Sequence, residues 1–254
     1  MFNRRGRERD VAEQLRLTAI SERALALRMR AAINRASIQA SESYTHRGSL
    51  DYALRGHYGE IERLLIASYT ATINRMGKRV FDAVGKANRP LERKDAGNFF
   101  QQAAQDWISR YTAEKVTAIS STTRSNITNA ISEGESLGIG IDATARLIRE
   151  KSGGVIASTR ALIIARTESH AAATFGGDAA VDALGIPDVK REWISVEDQR
   201  TRPTHSAANG QVVKMDEPFI IGGAGLIRPG DPSGPPEETI SCRCVIGYIA
   251  PGYE

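Results

Sequence analysis

The chain has 254 residues, 41% of them hydrophobic and 25% charged, with a formal net charge of +4 and an isoelectric point near 9.2. Those values fit a soluble globular protein able to bury one large core or two ordinary ones. No apolar run reaches the roughly 18 residues that span a bilayer, and the start lacks the apolar stretch of a secretory signal, so no membrane partner is expected and the protein is placed in a cytosol.

Aromatic residues are few, at 6%, so helices packed on small aliphatic side chains are expected. The mild basic excess is of the size that one segment can supply, and Asn3-Arg-Arg-Gly-Arg-Glu-Arg9 is such a segment. From Val11 to about Ser41, Leu15, Leu17, Ile20, Leu25, Leu27, Met29, Ile33 and Ile38 recur with Arg and Glu between them, predicting a long, loosely patterned amphipathic helix. A second helix is predicted from about Leu50 to Val84, with Asn88-Arg-Pro90 as its stop. A third runs from about Ala96 through Trp107 and Ile127 to the glycines at 134, 138 and 140. Asp142 is read as the cap of a short helix halted by Gly153-Gly154, and Ser158 as the cap of another that ends near Leu184, before Gly185-Ile-Pro187.

After Pro187 the pattern changes. Arg191-Glu-Trp-Ile-Ser-Val196, Gln211-Val-Val213, Phe219-Ile-Ile221 and Cys244 to Ile249 read as short strands, with Asn209-Gly210 as a turn before the second. Gly222 to Gly225 reads as a turn and Pro229-Gly-Asp-Pro-Ser-Gly-Pro-Pro236 as an irregular loop. The expected class is α+β: a long helical N-terminal region followed by a small C-terminal module of short antiparallel strands packed on a helix. The division falls at residues 1–139 and 140–254.

The chemistry-bearing residues cluster late in the chain, in Asp198-Gln-Arg-Thr-Arg-Pro-Thr-His205 and Ser241-Cys-Arg-Cys244, with Arg166-Thr-Glu168 and His170 on the helix leading into them. A disulfide between Cys242 and Cys244 would close a strained ring, so the pair reads as free thiols or metal ligands. His205, Cys242 and Cys244 offer one imidazole and two thiolates, the donors zinc prefers, with Asp198 as a candidate fourth. Against this, C-x-C lacks the grip of C-x2-C, and the cysteines also suit small buried positions in a closing strand.

A competing reading makes Arg200, Arg202, Arg243 and His205, with Glu168, a metal-independent or zinc-dependent phosphoryl-transfer or nuclease site. In the plainer alternative these arginines pair with Asp198, Glu237 and Glu238 and hold loops together. Cysteine catalysis has no supporting signature around either thiol. His46, His57 and His170 have no ligand pattern beside them and read as helix-surface or packing residues.

The ordered set Ala165-Arg-Thr-Glu-Ser169, Trp193, Asp198-x-Arg-Thr-Arg-x-x-His205, Asn209-Gly210, Pro218-Phe219, Pro229-Gly-Asp-Pro232 and Cys242-Arg-Cys244 resembles the phage Mu F-like, or phage head morphogenesis, family over roughly Gly140 to Ile249. The resemblance implies a minor structural protein of a tailed-phage head, present in few copies beside the portal and incorporated during procapsid assembly. It also implies an association with DNA packaging or ejection, and no established enzymatic activity. Similar domains are found joined to toxin domains, as a delivery or docking module would be. The expected partners are the portal, the major capsid or scaffold protein and, through Arg4, Arg5, Arg7 and Arg9, genomic DNA without sequence preference. The expected location is the capsid interior or portal vertex, after assembly in the host cytoplasm. Arg166, Glu168, Asp198, Arg200 and Arg202 are expected to stabilise the C-terminal module.

Overall fold

A computed structural model describes residues 4–85 and 93–251; the side chains of residues 4–8 and 93–96, and with them Arg4, Arg5 and Arg7, lie outside the described set, as does the stop at Asn88-Arg-Pro90. The elements run α1 (Arg4–Thr45), α2 (Leu50–Ala53), α3 (His57–Gly85), α4 (Arg93–Ser136), α5 (Ile141–Ser152), α6 (Gly154–Leu184), β1 (Lys190–Ile194), α7 (Pro203–Ala207), β2 (Val212–Lys214), β3 (Phe219–Ile221), β4 (Ala224–Leu226), α8 (Pro236–Thr239) and β5 (Val245–Ile249). The class is the α+β expected. Among the described residues no helix is long and apolar enough to cross a membrane.

Two compact units form, and each is discontinuous in sequence: Met1–Glu22, Ser68–Ile108 and Arg166–Glu254 make the first, and Arg23–Ala67 with Ser109–Ala165 the second. Each of α1, α3, α4 and α6 therefore gives one segment to each unit. A linear division at 139/140 follows motif content, whereas these units follow helix packing.

In the second unit, α1 buries Leu25, Met29, Ala32, Ile33, Ala36 and Ala40, a stripe at three- and four-residue spacing. Leu27 and Ile38 are exposed instead, because they fall off that stripe. Ala40, Ile127, Ala130 and Ile148 form a core cluster. Beside it the Ser41 hydroxyl donates to the Ala145 carbonyl at 2.9 Å and Ser152 donates to Ser37 at 2.8 Å. Helix α5 starts after Gly140, with no side-chain cap, so Asp142 sits inside the first turn, where its charge still favours the helix dipole.

In the first unit, α3 presents Tyr69, Ile73, Met76 and Val80 at helical spacing. Met76, Val80, Phe81 and Phe100 pack with Ala173, Ala180 and Val181 of α6, and with Val189. Gly176 brings α6 against α3: a Cβ there would stand 2.8 Å from the Ile73 carbonyl oxygen, so the two backbones touch where a side chain would separate them. Helix α6 begins at Gly154, itself at φ +55°. Ser158 therefore caps nothing, and its hydroxyl donates back to the Gly154 carbonyl.

Strand β1 is the centre of an antiparallel sheet ordered β2-β1-β5, with Arg191 opposite Val213 on one side and Tyr248 on the other. Strands β3 and β4 form a separate hairpin in which Ile221 pairs with Ala224 across Gly222 and Gly223, both at positive φ. The expected turn at 222–225 is thus a two-residue hairpin loop followed by a strand.

Two tyrosines of this unit stand beside carboxylates, Tyr69 buried and Tyr248 partly buried. Tyr69 donates to Glu168 at 2.6 Å and Tyr248 to Asp178 at 2.9 Å. Burial, then the neighbouring carboxylate, pushes both phenols well above their ordinary value. The folded state therefore keeps protons that the unfolded chain releases near pH 10. That stability is complete below pH 10 and is lost as pH rises further, by roughly 1.4 kcal/mol per pH unit per tyrosine. Chemical denaturation between pH 9 and 11 should show this decline, and Tyr69→Phe should shallow it; an unchanged slope would show that Tyr69 ionises freely.

Candidate functional site

The segment from β1 onward builds a small core of Trp193, Ala208, Phe219, Ile221, Leu226, Cys242 and Cys244. At its centre the ligand atoms of His205, Cys242 and Cys244, all buried, lie within 4.8 Å of one another. Three local features place them. Pro203 starts α7, whose single turn carries His205 inward. Ser241 adopts a left-handed backbone at φ +56°, and its N–H is held by the Thr167 hydroxyl of α6 at 3.0 Å. Cys242 and Cys244 follow this bend as free thiols, just ahead of strand β5.

The imidazole of His205 is oriented from its outer side. Its Nε2 lies 3.0 Å from Glu238 Oε2, which also accepts the Thr204 hydroxyl at 2.9 Å. Its Nδ1 faces the thiols, 3.3 Å from Cys244 Sγ and 3.7 Å from Cys242 Sγ. A carboxylate that fixes the tautomer of a histidine beside two thiols is the usual outer support of a metal-binding imidazole. Trp193 packs edge-on against the ring at 5.4 Å.

The thiols are electrostatically unequal. A hydrogen bond with Cys244, and after it the His170 and His205 imidazoles, hold Cys242 well below the ordinary thiol range in spite of burial. That same bond, and burial, push Cys244 up. Cys244 therefore keeps its proton and donates toward Cys242. Burial pulls His205 down, but the hydrogen bond and charge of Cys242, with Glu238, outweigh it and raise the imidazole. The group can hold a metal ion, since an imidazole nitrogen and two sulfurs, all buried, converge within 4.8 Å.

The remaining sequence candidates have separate work. Both oxygens of Asp198 accept from Arg243, at 2.5 and 2.6 Å, which holds this exposed carboxyl well below the usual carboxylate range. The same carboxylate accepts the Arg200 N–H at 3.0 Å and so shapes the turn. Asp198, the candidate fourth donor, is committed to that ion pair. Arg202 donates to the Ile240 carbonyl at 2.5 Å, and Arg166 pairs with Glu22 at 3.0 Å. A cavity of about 20 Å³ is lined by Arg200, Arg202, His205, Arg243 and Cys244, room for about one water. Arg9 is exposed on α1.

Three contributors lie beyond what the sequence patterns reveal. Glu238 supports His205 rather than an arginine. His170 is buried at 3% exposure, as a packing residue is, and its Nε2 has no hydrogen-bond partner among the described residues. Arg191, fully buried, donates to Asp178 at 3.3 Å and to the carbonyls of Lys214, Glu217 and Ile227, while Arg228 and Tyr248 also bind Asp178. The alternation of Arg191 and Trp193 in β1, continued by Ser195 just after it, is the available signal for it, since successive side chains of a strand face opposite ways.

A family model described as phage Mu protein F like protein matches residues 122–247, a span that holds every residue of this site. Minor head protein GP7 of Bacillus phage SPP1 is 31% identical over 130 residues, which are 50% of this chain and 41% of that protein. The NAD(+)--arginine ADP-ribosyltransferase EFV of Enterococcus faecalis is 33% identical over 130 residues, 50% of this chain and 26% of that protein. The chain thus spans less than half the length of either relative, and no solved structure matches. The match begins in α4, earlier than the Gly140 expected from the motifs, and through it the chain belongs to the phage Mu protein F like family.

Proposed function

We propose that the chain is a minor structural protein of a tailed-phage head, incorporated beside the portal during procapsid assembly and associated with DNA packaging or ejection. The observation that carries this reading is the family match over residues 122–247 together with the similarity of half the chain to a minor head protein. The relative named as an ADP-ribosyltransferase shares a segment amounting to only 26% of its own length, which fits a module that serves proteins of different activity by docking or delivery. A nuclease reading finds less support. Arg243 is paired with Asp198 and Glu168 accepts from Tyr69. The cavity beside His205 holds about one water, too little for a phosphodiester.

The ion that suits two thiols and an imidazole is zinc, in a structural role. Assembly contacts fall to the helical surface, where Leu27, Leu137 and Val155 are 71%, 64% and 80% exposed, and DNA contact falls to Arg4, Arg5, Arg7 and Arg9. Head particles assembled with and without the portal protein test the reading. The chain should sediment with portal-containing heads and be lost from portal-free ones, and glutamate at positions 27, 137 and 155 should weaken that association without lowering stability. Incorporation independent of the portal would contradict it. In the same preparations, alanine at the four arginines should flatten the salt dependence of DNA binding, by about 0.9 in log–log slope for each phosphate that is no longer neutralised; an unchanged slope would exclude the arm.

A further inference from the structure

In the second compact unit, α1, α5 and the start of α6 enclose an open groove of about 680 Å³, with Ile38, Arg146, Arg149, Glu150 and Val155 among its lining residues. Most of its surface is apolar. Ile38 is 46% exposed and Val155 80%, so the chain itself covers neither. The groove is held in shape without a partner. Ser41 and Ser37 of α1 bind the Ala145 carbonyl and the Ser152 hydroxyl of α5, and the Gly154 N–H donates to Asn34 Oδ1 at 2.9 Å. Gly153 lets the turn into α6 lie on α1, since a Cβ there would stand 3.1 Å from the Ser37 hydroxyl. A cleft fixed in this way loses little ordering entropy when it is filled.

The charges around the groove set the sign of its occupant. Arg146 and Arg149, one turn apart on α5, are both exposed. Neither pairs with a carboxylate among the described residues, and Arg149 donates to the Ser41 hydroxyl at 2.6 Å. Glu150 also lines the groove, which leaves its side chains with a net positive charge. Helix α6 adds to this, because it starts on the groove at Gly154 and has no acidic residue in its first turn to offset the dipole. The segments that make the unit, residues 23–67 and 109–165, hold fourteen Arg and Lys against nine Asp and Glu. That excess is larger than the net charge of the whole chain, so the basic character resides in this unit. DNA would answer the charge, but its phosphates give Ile38 and Val155 nothing to bury against. A helix with an apolar stripe and an acidic edge answers both.

We propose that this groove is the docking site of an acidic amphipathic helix on a neighbouring head protein. The apolar face of that helix seats on Ile38 and Val155, and its carboxylates meet Arg146 and Arg149. The proposal rests on the assembly role above and narrows it from a helical surface to one groove and one partner chemistry. Apolar burial supplies most of the affinity, while the arginines fix the register of the helix and turn away basic segments.

Photocrosslinking in infected cells tests this, with the full chain carrying p-benzoylphenylalanine in place of Val155. Irradiation should join it to a helical segment of a head protein that bears Asp or Glu within one turn of the joined residue. Arg146→Glu combined with Arg149→Glu should lower the crosslink yield at least about tenfold, and Lys in place of the joined segment's acids should restore it. Arg146→Glu alone, which disturbs no hydrogen bond among the described residues, should already lower the yield at an unchanged urea midpoint. Crosslinks to DNA, to a second copy of this chain or to a segment without acids would overturn the proposal. So would the absence of any crosslink, or a yield that ignores both variants. Absence of the chain from purified heads would contradict the head reading instead, and the crosslinks of the soluble chain would still decide the groove.

Discussion

Replacing Asp178 by Ala should cost about 3–5 kcal/mol, the largest loss expected from any single substitution in the chain. Asp178 accepts from Arg191, Arg228 and Tyr248 at once, and Arg191 has no exposure at all. Removing the carboxylate leaves a guanidinium in the core with only carbonyl acceptors. Arg228 suffers less, because it retains 15% side-chain exposure and can turn to water. Against a total stability of about 5–15 kcal/mol, the loss takes the protein to the margin of folding. The penalty belongs to the uncompensated charge, so the pair Asp178→Leu with Arg191→Met should recover much of it. Urea titration would show the single variant with a far lower midpoint than the unaltered protein and the double variant between the two. Equal midpoints for both variants would place the damage in lost volume rather than in charge.

Withdrawal of metal should have the second largest effect. An ion that binds only the folded chain stabilises it by about 4 kcal/mol when free zinc is a thousand times its dissociation constant. A strong chelator should therefore lower the melting temperature of the unaltered protein, and Cys244→Ser should melt low with or without chelator. Because thiolates are the ligands, the gain should shrink in acid as protons compete for sulfur. Melting that ignores both chelator and added zinc would show that Cys242, Cys244 and His205 form a plain buried polar cluster.

The helices and most strands are legible in the sequence because they depend on local periodicity. The gap between α2 and α3 and the start of α6 at Gly154 are not, since both turn on one or two backbone angles. The β3–β4 hairpin carries a local signal, Gly222-Gly223, that reads as a loop until its strands are seen to pair. The site divides in the same way. His205, Cys242 and Cys244 declare themselves by residue type, whereas Glu238 lies 33 positions from His205 and acquires meaning only through tertiary packing. Asp198 carries a ligand's chemistry but lies within reach of Arg243, and ion pairing takes it.

Packing also changes what a truncation means. The sequence division implies that residues 1–90 can be removed while the C-terminal module stays folded. Residues of α1 and α3 belong to the same compact unit as that module, with Gln14 donating to the Ile246 carbonyl at 3.1 Å and Tyr69 to Glu168. Point substitutions on the exposed helical surface are therefore the better probe of assembly contacts.

The central claim, a structural place in the head, is tested most directly by quantitative mass spectrometry of purified particles of the phage that encodes the chain. The account predicts that the chain is found in heads in proportion to the portal and far below the major capsid protein. Its absence from washed heads, with the chain recovered only among soluble proteins of the infected cell, would contradict the account.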